Sequence, residues 1–207
     1  MGAHDHHPKV ARPDHDILDV IRRRWSPRAF DAAREVSRAD LLRLFEAARW
    51  APSSYNEQPW RFVVVERDRA PDAHAALVGA LVGHNPLWAP AAPVLVLAAV
   101  SRSLERDGSP NRHAWYDTGQ AVALLTLQAT AQGLGVRQMQ GFDPDAARQA
   151  CAVPDDYEPA VVMAIGYPGD PDALDRESHR LSERKARVRR PTSEFVFDAR
   201  WGTPLPG

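Results

Sequence analysis

The sequence predicts an α+β fold, in which helices pack in layers against a β-sheet. Three apolar runs, Phe62–Val65, Val94–Val100 and Ala160–Ile165, have the length and the β-branched residues that are typical of buried strands. Helical apolar spacing recurs between them, most clearly over His113–Gln132. Because the helices and strands do not alternate strictly, the pattern favours α+β layers over a doubly wound parallel sheet.

The first predicted elements are a polar tail over residues 1–13 and a helix over residues 14–24, where Ile17, Leu18 and Ile21 recur at helical spacing. Both lie before the first strand.

Two more helices are predicted in the N-terminal half. Ser37 begins one of them, and Asp40 three residues later completes a capping box. This helix ends before Pro52, because the residue preceding a proline avoids the helical region. A further helix is expected over Ala73–Val82.

The C-terminal half continues with two helices and a charged segment. The helix over His113–Gln132 ends at Gly133. Asp143-Pro144, an N-cap followed by a proline at the first helical position, begins the next helix. A highly charged segment over residues 176–190 follows the last strand, and Phe195–Phe197 is predicted to be extended.

Composition excludes several classes of protein. The 207 residues include 26 Lys+Arg and 27 Asp+Glu, so no global field attracts nucleic acid or anionic lipid. A single cysteine, Cys151, excludes an internal disulfide framework and fits a reducing compartment. No apolar run approaches the roughly 18 residues of a membrane span. We expect one cytoplasmic domain over residues 14–207, including a C-terminal extension at 170–207, without nucleic-acid or membrane partners.

Common catalytic and metal-binding patterns are missing. Gly133–Gln138 follows a helix and lacks the third glycine of a dinucleotide fingerprint. The chain has neither a phosphate-binding loop that ends in Gly-Lys-Ser/Thr nor a nucleophile elbow. The cluster His4–His7 lacks the spacing of a native metal site, so no metal is expected.

Two cation-rich segments favour binding of an anion. Arg24, Ser26 and Arg28 place two guanidinium groups and a hydroxyl within five residues. Six basic residues lie within the segment 180–190. This segment fits a nucleic-acid contact, a solvated face, or arginines that bind a single phosphate. For the first segment the alternative is simple neutralisation of a helix terminus.

Together with Pro-Ser-Ser-Tyr-Asn-Glu-Gln-Pro-Trp at residues 52–60, these segments resemble the FMN-dependent nitroreductase family. The resemblance covers residues 17–197, and the order and spacing of the weaker matches agree with it. Those matches are Arg24–Phe30, Gly133–Gly135, Gln140–Pro144, Ile165–Pro168 and the arginine-rich segment before Pro191.

The resemblance implies a three-layer fold with a central mixed β-sheet flanked by helices, in an intertwined homodimer with two FMN sites at the interface. It implies that FMN contacts come from four segments: Arg24, Trp25 (through its backbone), Ser26 and Arg28; Arg187 and Arg189 at the phosphate; Ser53, Ser54 and Asn56 toward the partner subunit's flavin; and the backbone of Gln140 and Gly141 beside flavin N5.

The activity implied is ping-pong hydride transfer from NAD(P)H through FMN to a small electron-poor acceptor, such as a nitroaromatic or a quinone. A fixed cation near flavin N1 and the C2 carbonyl stabilises the reduced ring, and Arg28 is the candidate. Hydride transfer needs no general base, so no further catalytic residue is assigned. Specialised flavin chemistry (dehalogenation, enone reduction, flavin cleavage) and a non-catalytic flavin- or nucleic-acid-binding module are the alternatives.

One segment and one residue depart from the family pattern, and the roles of two tryptophans stay open. Many members carry a lysine shortly before the second strand, where this chain has Asn85–Trp88. Gln140 stands where several relatives have a glutamate, which a backbone contact tolerates. Trp88 and Trp115 either line a substrate slot or belong to the core, and burial in the core is the expectation.

Overall fold

The computed structural model describes residues 7–206. The four strands are β1 (Trp60–Glu66), β2 (Val94–Ser101), β3 (Gly135–Met139) and β4 (Tyr157–Gly166). The six helices are α1 (Asp19–Arg23), α2 (Arg38–Arg49), α3 (Pro71–Gly79), α4 (Ala114–Ala131), α5 (Pro144–Cys151) and α6 (Glu177–Arg184).

The four strands form one sheet in the order β1-β2-β4-β3, and every hydrogen-bonded pair is antiparallel. The mixed sheet that the family resemblance implied is therefore wrong for the described residues. Strands β2 and β3 run in the same direction, but β4 lies between them and runs against both, so no parallel pair forms among these residues. Strand β3 itself was not expected, because polar Arg137 and Gln138 occupy its middle.

Helices cover both faces of the sheet, which confirms the expected three-layer arrangement. One face packs on α2 and α4 through a core that includes Leu44 and Leu125. The other face packs on α3 and α5 through a core that includes Leu77 and Ala147. Strand β2 contributes alternate residues to the two cores, and for this reason Val94–Val100 is buried along its whole length.

Local capping chemistry is confirmed at two helices. The Ser37 side chain accepts a hydrogen bond from the Asp40 N–H at 3.1 Å, and the Asp143 carboxylate accepts from the N–H groups of Asp145 and Ala146. These bonds satisfy N–H groups that have no partner within the helix.

Three element boundaries differ from the expectation. Helix α1 begins at residue 19 instead of 14, because Leu18 has extended backbone angles and no residue of α1 is buried in this chain. Helix α3 begins at Pro71, a proline at the first helical position, and ends before Val82. Phe195–Phe197 forms no strand; Phe197 makes only an isolated bridge to Pro204.

A close backbone crossing positions the segment that carries Arg28. The N–H of Gly169 donates to the Ala29 carbonyl, and the Asp31 N–H donates to the Tyr167 carbonyl, both at 2.9 Å. A Cβ on Gly169 would lie 2.6 Å from the carbonyl carbon of Phe30, which only glycine avoids. Residues 29–31 are thus held against the chain that leaves β4.

Candidate active site

The first part of the site is an arginine cluster built from both ends of the chain. Arg24 donates from Nη1 to Ser26 Oγ at 3.1 Å. Arg187, which follows α6, donates to the backbone carbonyl of Arg22 at 2.5 Å and to that of Arg24. These bonds bring the two cation-rich segments of the sequence together.

No carboxylate neutralises this cluster within the described residues. Arg24, Arg187 and Arg189 make no ion pair there, and Arg187 Nε is buried without an acceptor. Burial lowers the pKa of Arg24, and Arg189 lowers it further. Burial also lowers the pKa of Arg187, followed by repulsion from Arg24 and Arg189. Because like charges disfavour one another in a partly buried site, the cluster fits an added anion such as a phosphate.

A buried carboxylate organises the second part of the site. Glu183 on α6 is 2% exposed. It accepts the backbone N–H of Arg28 at 3.0 Å and lies 3.5 Å from the Arg28 guanidinium. Arg28 also donates to Ser182 Oγ at 3.2 Å. The role of Glu183 was not expected, because 155 residues separate it from Arg28.

A further cation, Arg137 on β3, lies beside Arg28. Its Nη1 donates to the Ser26 carbonyl at 2.8 Å, and its guanidinium lies 5.2 Å from the centre of the Trp88 ring. The pKa of Arg137 is lowered to about 10, first by burial and then by repulsion from Arg28, while Glu183 opposes the shift. Trp88 is 3% exposed, which confirms its assignment to the core.

The chain leaving β3 offers free backbone donors. The Gly141 carbonyl accepts from Asn85 Nδ2 and from the Val82 N–H, both at 3.0 Å, so the peptide orientation is fixed. Within the described chain, the N–H groups of Gln140 and Gly141 donate to no acceptor. A Cβ on Gly141 would lie 2.9 Å from Asn85 Nδ2, so only glycine leaves this packing undisturbed.

The loop at residues 53–58 is strained and tied to α4. Tyr55, Asn56 and Gln58 have φ values of 53°, 57° and 47°, a region that residues with a side chain rarely adopt. Asp117, 2% exposed, accepts the Ser53 hydroxyl at 3.0 Å and the Ser54 N–H at 2.8 Å.

This tethering divides the predicted loop residues. The Ser53 hydroxyl both donates to Asp117 and accepts from the Gln58 N–H at 2.9 Å, so its bonds are used within the loop. Within the described residues, no hydrogen bond or ion pair joins the loop to Arg28 or to the cluster around Arg24. The structure of one chain therefore brings together the arginines and Ser26, and leaves the loop apart from them.

The Trp25 side chain packs against the N-terminal segment beside the site. The ring of Trp25 faces His7 at a centroid distance of 5.2 Å and lies 5.9 Å from Lys9 Nζ. Lys9 also donates to the Ser182 carbonyl, so this part of the expected tail contacts α6; residues 1–6 lie outside the described residues. Trp115, at the start of α4, is 49% exposed, so the expectation that it belongs to the core is wrong for this chain.

Within the described part of the chain, no group of three His, Cys, Asp or Glu side chains is arranged to hold a metal ion. The helices of residues 7–206 include none with the length and apolar character needed to cross a membrane.

Two arginines of α6 have partners within the protein. Arg180 donates to the Leu174 carbonyl, and Arg184 forms an ion pair with Asp172.

Comparison with known proteins agrees with this geometry. An uncharacterized 15.4 kDa protein of Mycolicibacterium smegmatis is 34% identical over 151 residues, 70% of this chain and 99% of its own length. An NADH dehydrogenase of Thermus thermophilus is 33% identical over 173 residues, 68% of this chain and 80% of its own.

A solved structure described as an oxidoreductase containing FMN superposes with a TM-score of 0.84 at 28% identity, covering 93% of this chain and 96% of that one. A nitroreductase family protein from Clostridium difficile shares the fold, with a TM-score of 0.66 at 24% identity over 91% of this chain. The model of the Nitroreductase family matches residues 21–167. This chain therefore belongs to the nitroreductase family and is an oxidoreductase.

Proposed function

We propose that this protein binds FMN and transfers hydride from NAD(P)H to a small electron-poor acceptor, such as a nitroaromatic or a quinone. The observation that carries the proposal is the cluster of Arg24, Arg187 and Arg189, which no carboxylate neutralises in the described chain and which contains an orphaned buried Nε. A dianionic phosphate supplies the missing charge and the missing acceptors.

Each part of the site has a distinct task in this proposal. The arginine cluster and Ser26 hold the FMN phosphate, and the Trp25 backbone supports the same segment. Arg28, oriented by Glu183, places a cation at the pyrimidine end of the ring. The unpartnered N–H groups of Gln140 and Gly141 would donate to the flavin beside N5 when FMN is bound. When bound, FMN supplies a two-electron centre that accepts hydride at N5 and donates it again.

Ping-pong kinetics fit a sequence that has no separate binding motif for NAD(P)H. The sequence holds no dinucleotide fingerprint, so NAD(P)H docks transiently over the flavin, leaves, and is replaced by the acceptor in the same slot. The names of the similar Thermus protein and of the similar FMN-containing structure support this class of chemistry. The lone Cys151 fits a cytoplasmic location.

The functional unit in this proposal is a homodimer of one domain, residues 14–207, whose C-terminal extension begins at 170. Ser53, Ser54 and Asn56 serve the FMN of the partner subunit, with Ser53 acting through the loop it stabilises. Exposed apolar side chains on and beside α1 support a partner: Ile17, Leu18 and Ile21 are 44%, 70% and 41% exposed.

An absorbance experiment tests the proposal. We expect the purified protein to be yellow, and to lose flavin absorbance when NADH or NADPH is added without oxygen. Nitroaromatic, quinone, enone and halogenated acceptors are then added singly to the reduced protein, and the rate of reoxidation ranks them. A colourless protein whose thermal stability does not rise with added FMN would contradict the proposal.

A further inference from the structure

Arg137 is a second guanidinium at the candidate ring site, and it has no carboxylate of its own. Among the described residues it makes no ion pair within 4 Å, and its Nε is buried without an acceptor. Glu183 is the acid that acts on it, and Glu183 is already bonded to the backbone N–H and the guanidinium of Arg28. Two partly buried cations therefore share one carboxylate.

The position of Arg137 is fixed by its contacts. Its Nη1 donates to the Ser26 carbonyl at 2.8 Å, and its planar group lies against Trp88 at 5.2 Å from the ring centre. It lies on β3, three residues before Gln140, and the chain that leaves this strand carries the free backbone donors.

The electrostatic surroundings separate Arg137 from the arginines assigned to the phosphate. The charges that act on it are those of Arg28 and Glu183, whereas Arg24 and Arg187 interact with each other and with Arg189. Lys9 adds a positive charge that Arg28, Arg187 and Arg137 all repel, so it belongs to neither set of arginines alone. The site thus holds two groups of cations, and the second has no phosphate to neutralise it.

We propose that Arg137 supplies a second positive charge that stabilises reduced FMN over oxidised FMN. This inference rests on the proposed function. Hydride transfer from NAD(P)H moves two electrons and one proton onto the flavin, leaves NAD(P)⁺, and adds one negative charge to the ring. A preorganised cation in a site of low dielectric constant stabilises that added charge more than it stabilises the neutral ring.

The experiment measures the midpoint potential and the FMN affinity of Arg137→Gln and Arg137→Lys. We expect Arg137→Gln to lower the affinity for reduced FMN, relative to that for oxidised FMN, by about tenfold, which for a two-electron couple is about 30 mV in potential. Arg137→Lys keeps the charge and most of the potential. Arg148→Gln is the matched control, because Arg148 also donates to backbone carbonyls, those of Val153 and Tyr157, away from the site.

The outcomes separate this inference from the proposed function. An Arg137→Gln protein that binds FMN with an unchanged potential would show that Arg137 only tethers the Ser26 carbonyl. If Arg137→Gln does not fold, Arg137→Lys provides the test. The inference requires that Arg137→Lys retain the midpoint potential, even if the variant is less stable. A fall in midpoint potential as large as that expected for loss of the charge would overturn the inference. A wild-type protein that binds no FMN contradicts the proposed function itself.

Discussion

At the scale of single residues, what distinguishes the arginines of this site is the identity of their partners. Arg190 lies 3.8 Å from Glu194. Among the described residues, the neighbouring Arg189 bonds only to the Val188 carbonyl, and it acts on Arg24 and Arg187. Adjacent residues of the same type therefore contribute differently. One is balanced locally, and the other adds charge to the phosphate cluster.

This contrast gives a paired prediction. Arg189→Gln should weaken FMN binding about tenfold or more, because a hydrogen bond to a charged group contributes about 1.5–3 kcal/mol. Arg190→Gln should change it little, since its charge is paired with Glu194 and exposed. Fluorescence titration of apoprotein with FMN measures both affinities. Equal losses in the two variants would contradict the assignment.

A buried histidine gives a pH-dependent stability. His74 on α3 is 4% exposed and lies 3.1 Å from the Ala92 carbonyl. Burial lowers its pKa from the ordinary value of 6.5, repulsion by Arg67 acts in the same direction, and Ala92 and Glu35 oppose the shift. The unfolded chain therefore binds a proton before the folded chain does, so stability falls as pH falls below about 6.5. Burial also lowers the pKa of His179, which contributes in the same direction.

His74→Gln tests this linkage. We expect the decrease in unfolding free energy between pH 7.5 and pH 5.5 to be smaller in the variant by about 1 kcal/mol, since one group contributes at most about 1.4 kcal/mol per pH unit. Urea unfolding at both pH values measures it. His15→Gln, at an exposed position, is the control. An unchanged pH dependence in His74→Gln would contradict the prediction.

At the scale of elements, the strained loop depends on a helix that is distant in sequence. Asp117 on α4 receives two hydrogen bonds from Ser53 and Ser54, and these bonds offset the cost of left-handed angles at three residues, about 1–3 kcal/mol each. A loop held in this way presents Asn56 in one fixed orientation.

Asp117→Ala should destabilise the protein by about 2–4 kcal/mol, because it leaves the Ser54 N–H and the Ser53 hydroxyl without their acceptor. Asp117→Asn retains one acceptor oxygen and should cost less. Guanidinium unfolding measures both, and FMN release from the two proteins should follow the same order. Equal stability of the two variants would contradict this role of the carboxylate.

The separation of contacting residues along the chain explains which features could be predicted from the sequence. The helix caps at Ser37 and Asp143 were predicted because each bond spans two or three residues. Asp117, Glu183 and Arg137 were missed, because their bonds span 64, 155 and 111 residues. A polar residue within a helix or a strand gives no local signal of a partner that is distant in the sequence.

At the scale of the whole molecule, one chain leaves an apolar surface without cover. Helix α1 buries none of its residues, which also explains why the helical pattern from residue 14 does not form a longer helix in the single chain. A shallow groove of about 300 Å³ lies beside it, and its lining residues come from α1, α2 and α4: Val20, Ala47, Leu124, Leu127, Gln128 and Ala131. The apolar face of a helix that its own chain leaves uncovered becomes buried when a second copy packs against it.

Placing a charge in this groove should therefore separate the proposed dimer. We expect Leu127→Arg to sediment as a monomer where the wild type sediments as a dimer, and to lose FMN, because Ser54 and Asn56 then no longer reach the partner's site. Ala76→Arg, on the exposed side of α3 in the opposite layer, should remain dimeric and yellow. A Leu127→Arg protein that stays dimeric would place the interface elsewhere. A monomer that retains FMN at full affinity would show that one chain completes the site alone.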